Sequence, residues 1–441
     1  MTAHRYLERL DAADFAEFEG NVIRVSSGAI EADGPLAKVG DYCEIEGSAR
    51  DGNVVAEVIA LNSDHIRLLP LKSARRIRLG APVRPARNLD GIAVGDEFCG
   101  RAVNALGQAI DDGAAIHAKQ FASREGAVPK TLDRAAGKRK LATGIRAIDA
   151  LFPIGEGQRI GIFAASGVGK TSLVEQLSQQ IECDHCILCL VGERGREVEK
   201  LWNMHLRGED RDRFTIVAAT SDESASMRVR AVDQALGIAE HWRSKGRHVV
   251  LFIDSITRLA LAQRELGLAA GEPPTVRAFT PNVFVAMPHI VERCGADRRA
   301  GSITAIFTVL SETDDVDDPI VELMKSLLDG HIILSRRLAE KGHFPAIDIS
   351  GSVSRMAGSL LSPDEAALAR EAHRTFAEYE EARPMIESGI YKQGSNSSID
   401  QAISRMPQLT SFLRQAQDQK AGIETTQSEL AAIFQSGPRH G

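Results

Sequence analysis

The rhythm of apolar residues changes twice along the chain. Between Phe15 and about Pro85, short runs such as Gly20-Asn21-Val22-Ile23-Arg24-Val25 and Asn53-Val54-Val55-Ala56-Glu57-Val58-Ile59 are broken by glycine and aspartate. That pattern predicts a small β-barrel or sandwich. From about Val83 to Met356, compact apolar segments alternate with helical spacing: Ile160 to Phe163, Cys186 to Val191, Phe214 to Ala218, Val249 to Ile253 and Ile303 to Leu310. Such alternation builds a mainly parallel sheet covered by helices. After Ser362, the spans Glu365 to Glu381, Ile399 to Gln417 and Ile423 to Phe434 repeat their apolar positions at helical spacing. The expected fold class is α/β, with an N-terminal β-barrel domain over 1–83, a central parallel-sheet domain over 84–357 and a C-terminal helical domain over 358–441. The stretch after Gly100, through the basic run Pro129 to Lys140, reads as an irregular lead-in with a solvated surface. The first ten residues suit a helix with Tyr6, Leu7 and Leu10 on one side, to which no role is assigned.

Chemistry enters where the first central strand ends. The segment Arg159-Ile160-Gly161-Ile162-Phe163 runs into Ala164-Ala165-Ser166-Gly167-Val168-Gly169-Lys170-Thr171 and then into the helix-like Ser172-Leu173-Val174-Glu175-Gln176-Leu177. A glycine-rich turn between strand and helix, ending in Gly-Lys-Thr, is a phosphate-binding loop. Backbone N–H groups from Ala165 through Ser172 surround phosphate oxygens, Lys170 adds a point charge, and the Thr171 hydroxyl is a ligand for Mg²⁺. A nucleoside triphosphate is the expected ligand. Arg247-His248-Val249-Val250-Leu251-Phe252-Ile253-Asp254 is a second apolar strand, and it ends in a carboxylate suited to holding Mg²⁺ beside that loop. A third strand, Ile187 to Val191, runs into Gly192-Glu193-Arg194-Gly195-Arg196-Glu197. Hydrolysis requires a carboxylate there to orient water, and spacing leaves Glu193 and Glu197 both open.

Composition narrows the setting. A chain of 441 residues exceeds the size of one growing core, and 43% hydrophobic with 26% charged residues is ordinary for a globular protein. The formal charge of −7 offers no broad basic field, and Phe15, Phe18, Tyr42 and Phe98 do not interleave with basic residues as stacking platforms do. No nucleic-acid partner is expected. The start lacks an apolar signal core and no stretch has the length of a membrane span, so a cytosolic location is expected. Cys183, Cys186 and Cys189 with His185 superficially suggest a metal cluster. Their apolar setting reads instead as a buried strand in which cysteine is a small hydrophobe.

Several ordered segments together resemble the flagellar and type III secretion export ATPases, which are similar to the catalytic subunits of rotary ATP synthases. They are Gly155-Glu156-Gly157-Gln158-Arg159, the phosphate loop, Gly192 to Val198, Asp254-Ser255-Ile256-Thr257-Arg258, Ala262-Gln263-Arg264-Glu265, Gly271-Glu272-Pro273-Pro274, Gly301 to Ala305, Leu328 to Arg336 and Phe344-Pro345-Ala346-Ile347-Asp348. The resemblance implies a RecA-like phosphate-loop NTPase core, an ATP-hydrolysing homo-hexamer, and sites between subunits. It assigns Glu193 to water activation, Lys170 and Thr171 to the phosphates and Mg²⁺, and Asp254 to the metal. Arg355, in Ser352-Val353-Ser354-Arg355, matches the arginine that reaches a neighbour's γ-phosphate. Phe344 matches the aromatic against adenine, with Tyr391 a second candidate.

The implied partners are a stator-like regulatory export protein, chaperone–substrate complexes and a membrane export gate, at the inner face of the cytoplasmic membrane with peripheral contact. The flagellar branch is favoured by the wording of Phe163 to Gly169 and Leu334 to His343. A virulence-type secretion ATPase is the alternative, followed by a non-catalytic ring subunit, a proton-driven synthase subunit or an RNA translocase. Ala165, where flagellar members often carry glycine, and Phe279-Thr280-Pro281-Asn282, where Tyr-Pro-Pro-Ser is usual, depart from the pattern. The alanine is harmless if its φ stays negative.

Overall fold

The computed structural model describes residues 18–435 apart from 27, 48–51, 73–76, 87–88, 90, 136, 138, 207 and 312–317. The helix suggested for the first ten residues, with Tyr6, Leu7 and Leu10, lies outside them, as does Phe15.

Six strands close a barrel in the order β1-β2-β5-β4-β3-β6. They are β1 (Gly20–Val25), β2 (Ile30–Ala32), β3 (Tyr42–Ile45), β4 (Val54–Leu61), β5 (Ile66–Pro70) and β6 (Pro82–Pro85). Ile45, Ala56, Val58, Leu68 and Val83 fill the interior, and closure pairs every edge that an open sheet would expose.

The strands that follow are β7 (Gly91–Val94), β8 (Arg101–Val103), β9 (Gln120–Ser123), β10 (Arg134–Ala135), β11 (Arg159–Ala164), β12 (His185–Glu193), β13 (Phe214–Thr220), β14 (His248–Asp254), β15 (Gly295–Asp297), β16 (Ser302–Leu310), β17 (Gly330–Ile333) and β18 (Val353–Ser354). The main sheet runs β18-β17-β11-β16-β14-β12-β13-β8, with β10 and β15 attached. From β17 to β8 every neighbour is parallel, and β18 is antiparallel.

Helices α1 (Lys170–Gln180), α2 (Gly195–His205), α3 (Ala225–Ser244), α4 (Ile256–Ala270), α5 (Pro281–Arg293) and α6 (Pro319–Leu327) connect these strands. They cover both faces, so every residue of β12 and β14 is buried, which is why those segments read as unbroken apolar runs rather than alternating ones. The predicted irregular lead-in is a correction. β8 extends the main sheet beside β13, and β9 pairs with β7. Strands of three and four residues are too short to display a periodicity, so pairing with distant partners creates them.

The chain ends in α7 (Pro363–Glu387), α8 (Ser397–Leu413) and α9 (Ile423–Gln435). Ser362 and Glu365 form a reciprocal capping box that starts α7, with Pro363 in its first turn. Gln415, just past α8, ties this domain to the centre. Its side chain accepts from Arg146 N at 2.9 Å and donates to Gly144 O at 2.6 Å, and its N–H donates to Phe344 O at 2.9 Å.

The barrel is joined to the central domain by charge as well as packing. Arg124 lies 2.8 Å from Glu57 of β4 and 2.9 Å from Asp233 of α3, and Asp233 also accepts from Arg293, which is bonded to Glu240 at 2.7 Å. Removing one partner of a buried ion pair leaves the others uncompensated, at a cost of about 3 kcal/mol. Arg124→Met is therefore expected to lower the urea concentration of the first unfolding transition, followed by circular dichroism, and to speed proteolysis between β6 and β7. Equal transitions in variant and parent would refute this role.

Candidate nucleotide site

β11 delivers the chain to a turn that only glycine adopts without strain. Gly167 has φ 79° and Gly169 has φ 103°, both in the left-handed region. Gly169 is the N-cap of α1 and no side chain caps it, so the first N–H groups of the helix are left for an outside acceptor. Val168 is 2% exposed and pins the turn to the core, while Ser166, Gly167 and Ser172 are exposed and Thr171 is half-buried. Among the described residues, Arg277 and Ala278 are the non-glycine positions with positive φ. Ala165 therefore keeps a negative φ and its methyl group is accommodated.

Three buried charges meet beside this turn. Lys170 Nζ donates to Asp254 Oδ1 and lies 3.5 Å from Glu193 Oε1. β12 and β14 are neighbours in register, with Leu190 opposite Asp254, so both carboxylates emerge at the same sheet edge as the turn. Lys170, Glu193 and Asp254 are 9%, 4% and 5% exposed. Burial pushes the Glu193 carboxyl above the ordinary glutamate value and the charge of Asp254 adds to this, while Lys170 and Arg258 draw it down. A carboxylate with raised proton affinity is equipped to accept a proton from water. Glu197 sits half-buried in the first turn of α2 and acts on Glu193 through space, so of the two glutamates it is Glu193 that meets Lys170.

Two residues that the sequence reading did not single out complete the cluster. Arg258 Nε lies 3.3 Å from Glu193 Oε1, presented by α4 one turn after Ser255 caps that helix. Thr308 Oγ1 donates to Asp254 Oδ1 at 2.5 Å from β16, the strand between β11 and β14. The available signal was a threonine inside a largely apolar strand, where a buried hydroxyl requires a partner.

Phe344 stands over the turn: a methyl group on Gly169 would meet its ring at 3.3 Å, yet the side chain is 46% exposed. Arg355 does not join the cluster. Its N–H bonds Asp329 O at 2.9 Å, and Asp329 accepts from Arg159 N, at the start of β11. The phosphate turn follows the other end of that strand, roughly 16 Å away at 3.3 Å per residue. The exposed Arg355 guanidinium donates to Lys325 O at 3.1 Å. Tyr391 is not brought there either. Its hydroxyl lies 3.0 Å from Asn396 O and Asp400 Oδ1, at the start of α8, whereas Gln415, which contacts Phe344, follows the end of α8. A helix of that length separates the two by roughly 25 Å.

The family model for the ATP synthase alpha/beta family, nucleotide-binding domain, matches residues 144–354, and that for the T3SS EscN ATPase C-terminal domain matches residues 361–432. The flagellum-specific ATP synthase of Bacillus subtilis is 38% identical over 98% of this chain and 99% of its own. The SPI-2 type 3 secretion system ATPase of Salmonella typhimurium is 40% identical over 94% of each. The assembled ATPase EscN of the enteropathogenic E. coli type III secretion system superposes with a TM-score of 0.89 at 36% identity, covering 94% of this chain and 99% of EscN.

Gly169→Ala places a side chain at φ 103° and against Phe344. Strain of about 1.4 kcal/mol corresponds to a tenfold weaker affinity for a fluorescent ATP analogue, measured by titration. Lys170→Met leaves two buried carboxylates without their shared cation, so the Glu193 pKa rises further above its unfolded value. The folded state then binds the extra proton, and its stability is largest below the unfolded pKa and falls as pH rises through the folded one. Thermal unfolding from pH 4 to 8 should fall more steeply in the variant than in the parent.

Proposed function

The chain belongs to the flagellar and type III secretion ATPases of the ATP synthase alpha/beta family, and from that premise we propose that it is the ATP-hydrolysing ring subunit of a flagellar protein export apparatus. The observation that carries the reading is the meeting of Lys170, Glu193 and Asp254 beside an uncapped helix N-terminus, with Arg355 at the opposite sheet edge. Turnover then needs a second copy: the neighbour's Arg355 completes the site, as in a homo-hexamer. The three parts at 1–83, 84–357 and 358–441 act as ring former, motor and output.

In this reading the N–H groups from Ala165 to Ser172 and the Lys170 ammonium hold the β- and γ-phosphates, and Phe344 packs its exposed face on the adenine. The half-buried Thr171 hydroxyl and the Asp254 carboxylate are hard oxygen donors that fit Mg²⁺. When bound, that ion neutralises charge on the phosphate oxygens. Glu193 orients a water toward the γ-phosphorus and takes its proton, a task favoured by its raised pKa. Arg355 from the adjoining copy neutralises charge that grows in the transition state.

Among the described residues no helix is long and apolar enough to cross a membrane. The reading puts the ring at the cytoplasmic face beneath an export gate, where it releases substrates from chaperones and engages a stator-like regulator and, like the EscN assembly solved with its central stalk EscO, a stalk partner. The flagellar assignment rests on the wording of Phe163 to Gly169 and Leu334 to His343. A virulence-type apparatus is the second reading, because relatives of both kinds match nearly the whole chain.

Mg-ATP hydrolysis should rise cooperatively with protein concentration. Glu193→Gln and Arg355→Ala should each lower kcat about 10³-fold or more while keeping nucleotide binding. Mixing the two inactive variants should restore partial activity, because mixed rings contain interfaces with both groups intact. No recovery at any ratio would refute the shared site.

A further inference from the structure

β16 lies between β11, which feeds the phosphate turn, and β14, which ends at Asp254. Its register sets Thr308 beside Ile162 of β11, and Ile306 and Phe307 beside Phe252 and Ile253 of β14, so Thr308 comes level with Asp254. Alternation puts Thr308 on the same face as Ile306, and Asp254 on the same face as Phe252. Both apolar residues belong to the core beneath α1, the helix that Lys170 opens. The hydroxyl, the carboxylate and the ammonium therefore share one side of the sheet.

β16 carries two threonines on that face, and they meet different partners. Thr304 Oγ1 lies 2.9 Å from His248 Nε2 and accepts from Gly157 N at 2.8 Å, toward the strand end away from the phosphate turn. Thr308 is completely buried, and its Oγ1 donates to Asp254 Oδ1 at 2.5 Å, the same oxygen that takes the Lys170 ammonium. Two donors thus converge on Oδ1, and neither takes Oδ2. The strand end that carries Thr308 is fixed on both sides. Leu310 N donates to Thr257 Oγ1 of α4 at 2.8 Å, and Ser311 N donates to Ala164 O, at the entry to the phosphate turn, at 3.0 Å. The two donors to Oδ1 differ in permanence. Lys170 ends a flexible four-carbon stem and carries the charge that phosphates attract, so a bound triphosphate competes for it. The Thr308 hydroxyl is neutral, stiff at χ1 and set in an anchored strand, so it stays.

We propose that Thr308 is a positioning residue of the metal site: when phosphate oxygens draw Lys170 away, its hydroxyl keeps hold of Oδ1 and fixes the Asp254 carboxylate, leaving Oδ2 for Mg²⁺. The proposal rests on the reading of Asp254 as the metal carboxylate. A hydroxyl suits the task because it orients the carboxylate without neutralising the charge that the cation requires, and a hydrogen-bonded carboxylate needs no reorientation to bind.

Titrating a fluorescent ATP analogue into the full-length protein, first in EDTA and then at rising Mg²⁺, separates phosphate binding from metal binding. Thr308→Val keeps the shape of the side chain and removes the donor. It should match the parent in EDTA, yet need about tenfold more Mg²⁺ to reach half of the metal-dependent gain in affinity. Thr308→Ser restores the hydroxyl and should move that midpoint back toward the parent. Thr308→Ala carries the comparison if circular dichroism shows that the valine variant does not fold. An unchanged midpoint in Thr308→Val, an equal loss of affinity in EDTA and in Mg²⁺, or a serine variant no better than valine would overturn the proposal. Asp254→Asn tells that failure apart from failure of the reading beneath it. If it raises the midpoint while Thr308→Val does not, Asp254 serves the metal and Thr308 does not position it. If it too leaves the midpoint unchanged, the metal assignment is wrong and the proposal falls with it.

Discussion

One ammonium group between two buried carboxylates governs the central domain. Lys170 comes from the start of α1, Glu193 and Asp254 from the ends of β12 and β14, and nothing along the chain holds them near one another. In the low-dielectric interior, two carboxylates this close are tolerable only with a cation between them, and Arg258 adds a second on the Glu193 side. That balance makes the cluster responsive to ligand charge. A triphosphate arriving at the α1 N-terminus brings several negative charges, which Lys170 alone cannot offset while it is also bound to Asp254. Further positive charge must come from outside the chain's own cluster, and in the proposed ring Arg355 of a neighbouring copy is its source.

The surrounding architecture keeps those strand ends in register. Thr308 links β16 to Asp254, and Ser255 starts α4 so that Arg258 turns back toward Glu193. Farther out, the Arg124 network ties the barrel to α3. Gln415 ties the C-terminal helices both to Gly144 and to the backbone of Phe344, the residue whose ring covers the phosphate turn. A movement of the C-terminal domain therefore has a direct covalent and hydrogen-bonded route to the nucleotide site. For a motor that converts hydrolysis into displacement, that connection is the physical requirement.

The phosphate turn, the two carboxylates and the layered fold were legible in the linear chain because each depends on local rules. Gly167 and Gly169 are needed where φ is positive, apolar runs mark strands buried on both faces, and a capping box marks the start of α7. Arg258 and Thr308 were not legible as site residues. An arginine on a helix and a threonine in a strand are common, and what distinguishes these two is the partner they face. Tyr391 illustrates the converse: an aromatic in the right domain, held by α8 at the wrong end.

The amino-acid order by itself determined the class of ligand, the succession of barrel, parallel sheet and helices, and the family to which the chain belongs, since backbone conformation and burial periodicity are properties of short segments. Tertiary structure alone decided which glutamate meets Lys170 and that Arg355 lies beyond reach of its own phosphate turn. Those outcomes depend on strand order and on which face of a sheet a residue occupies, quantities that arise only when distant segments pair.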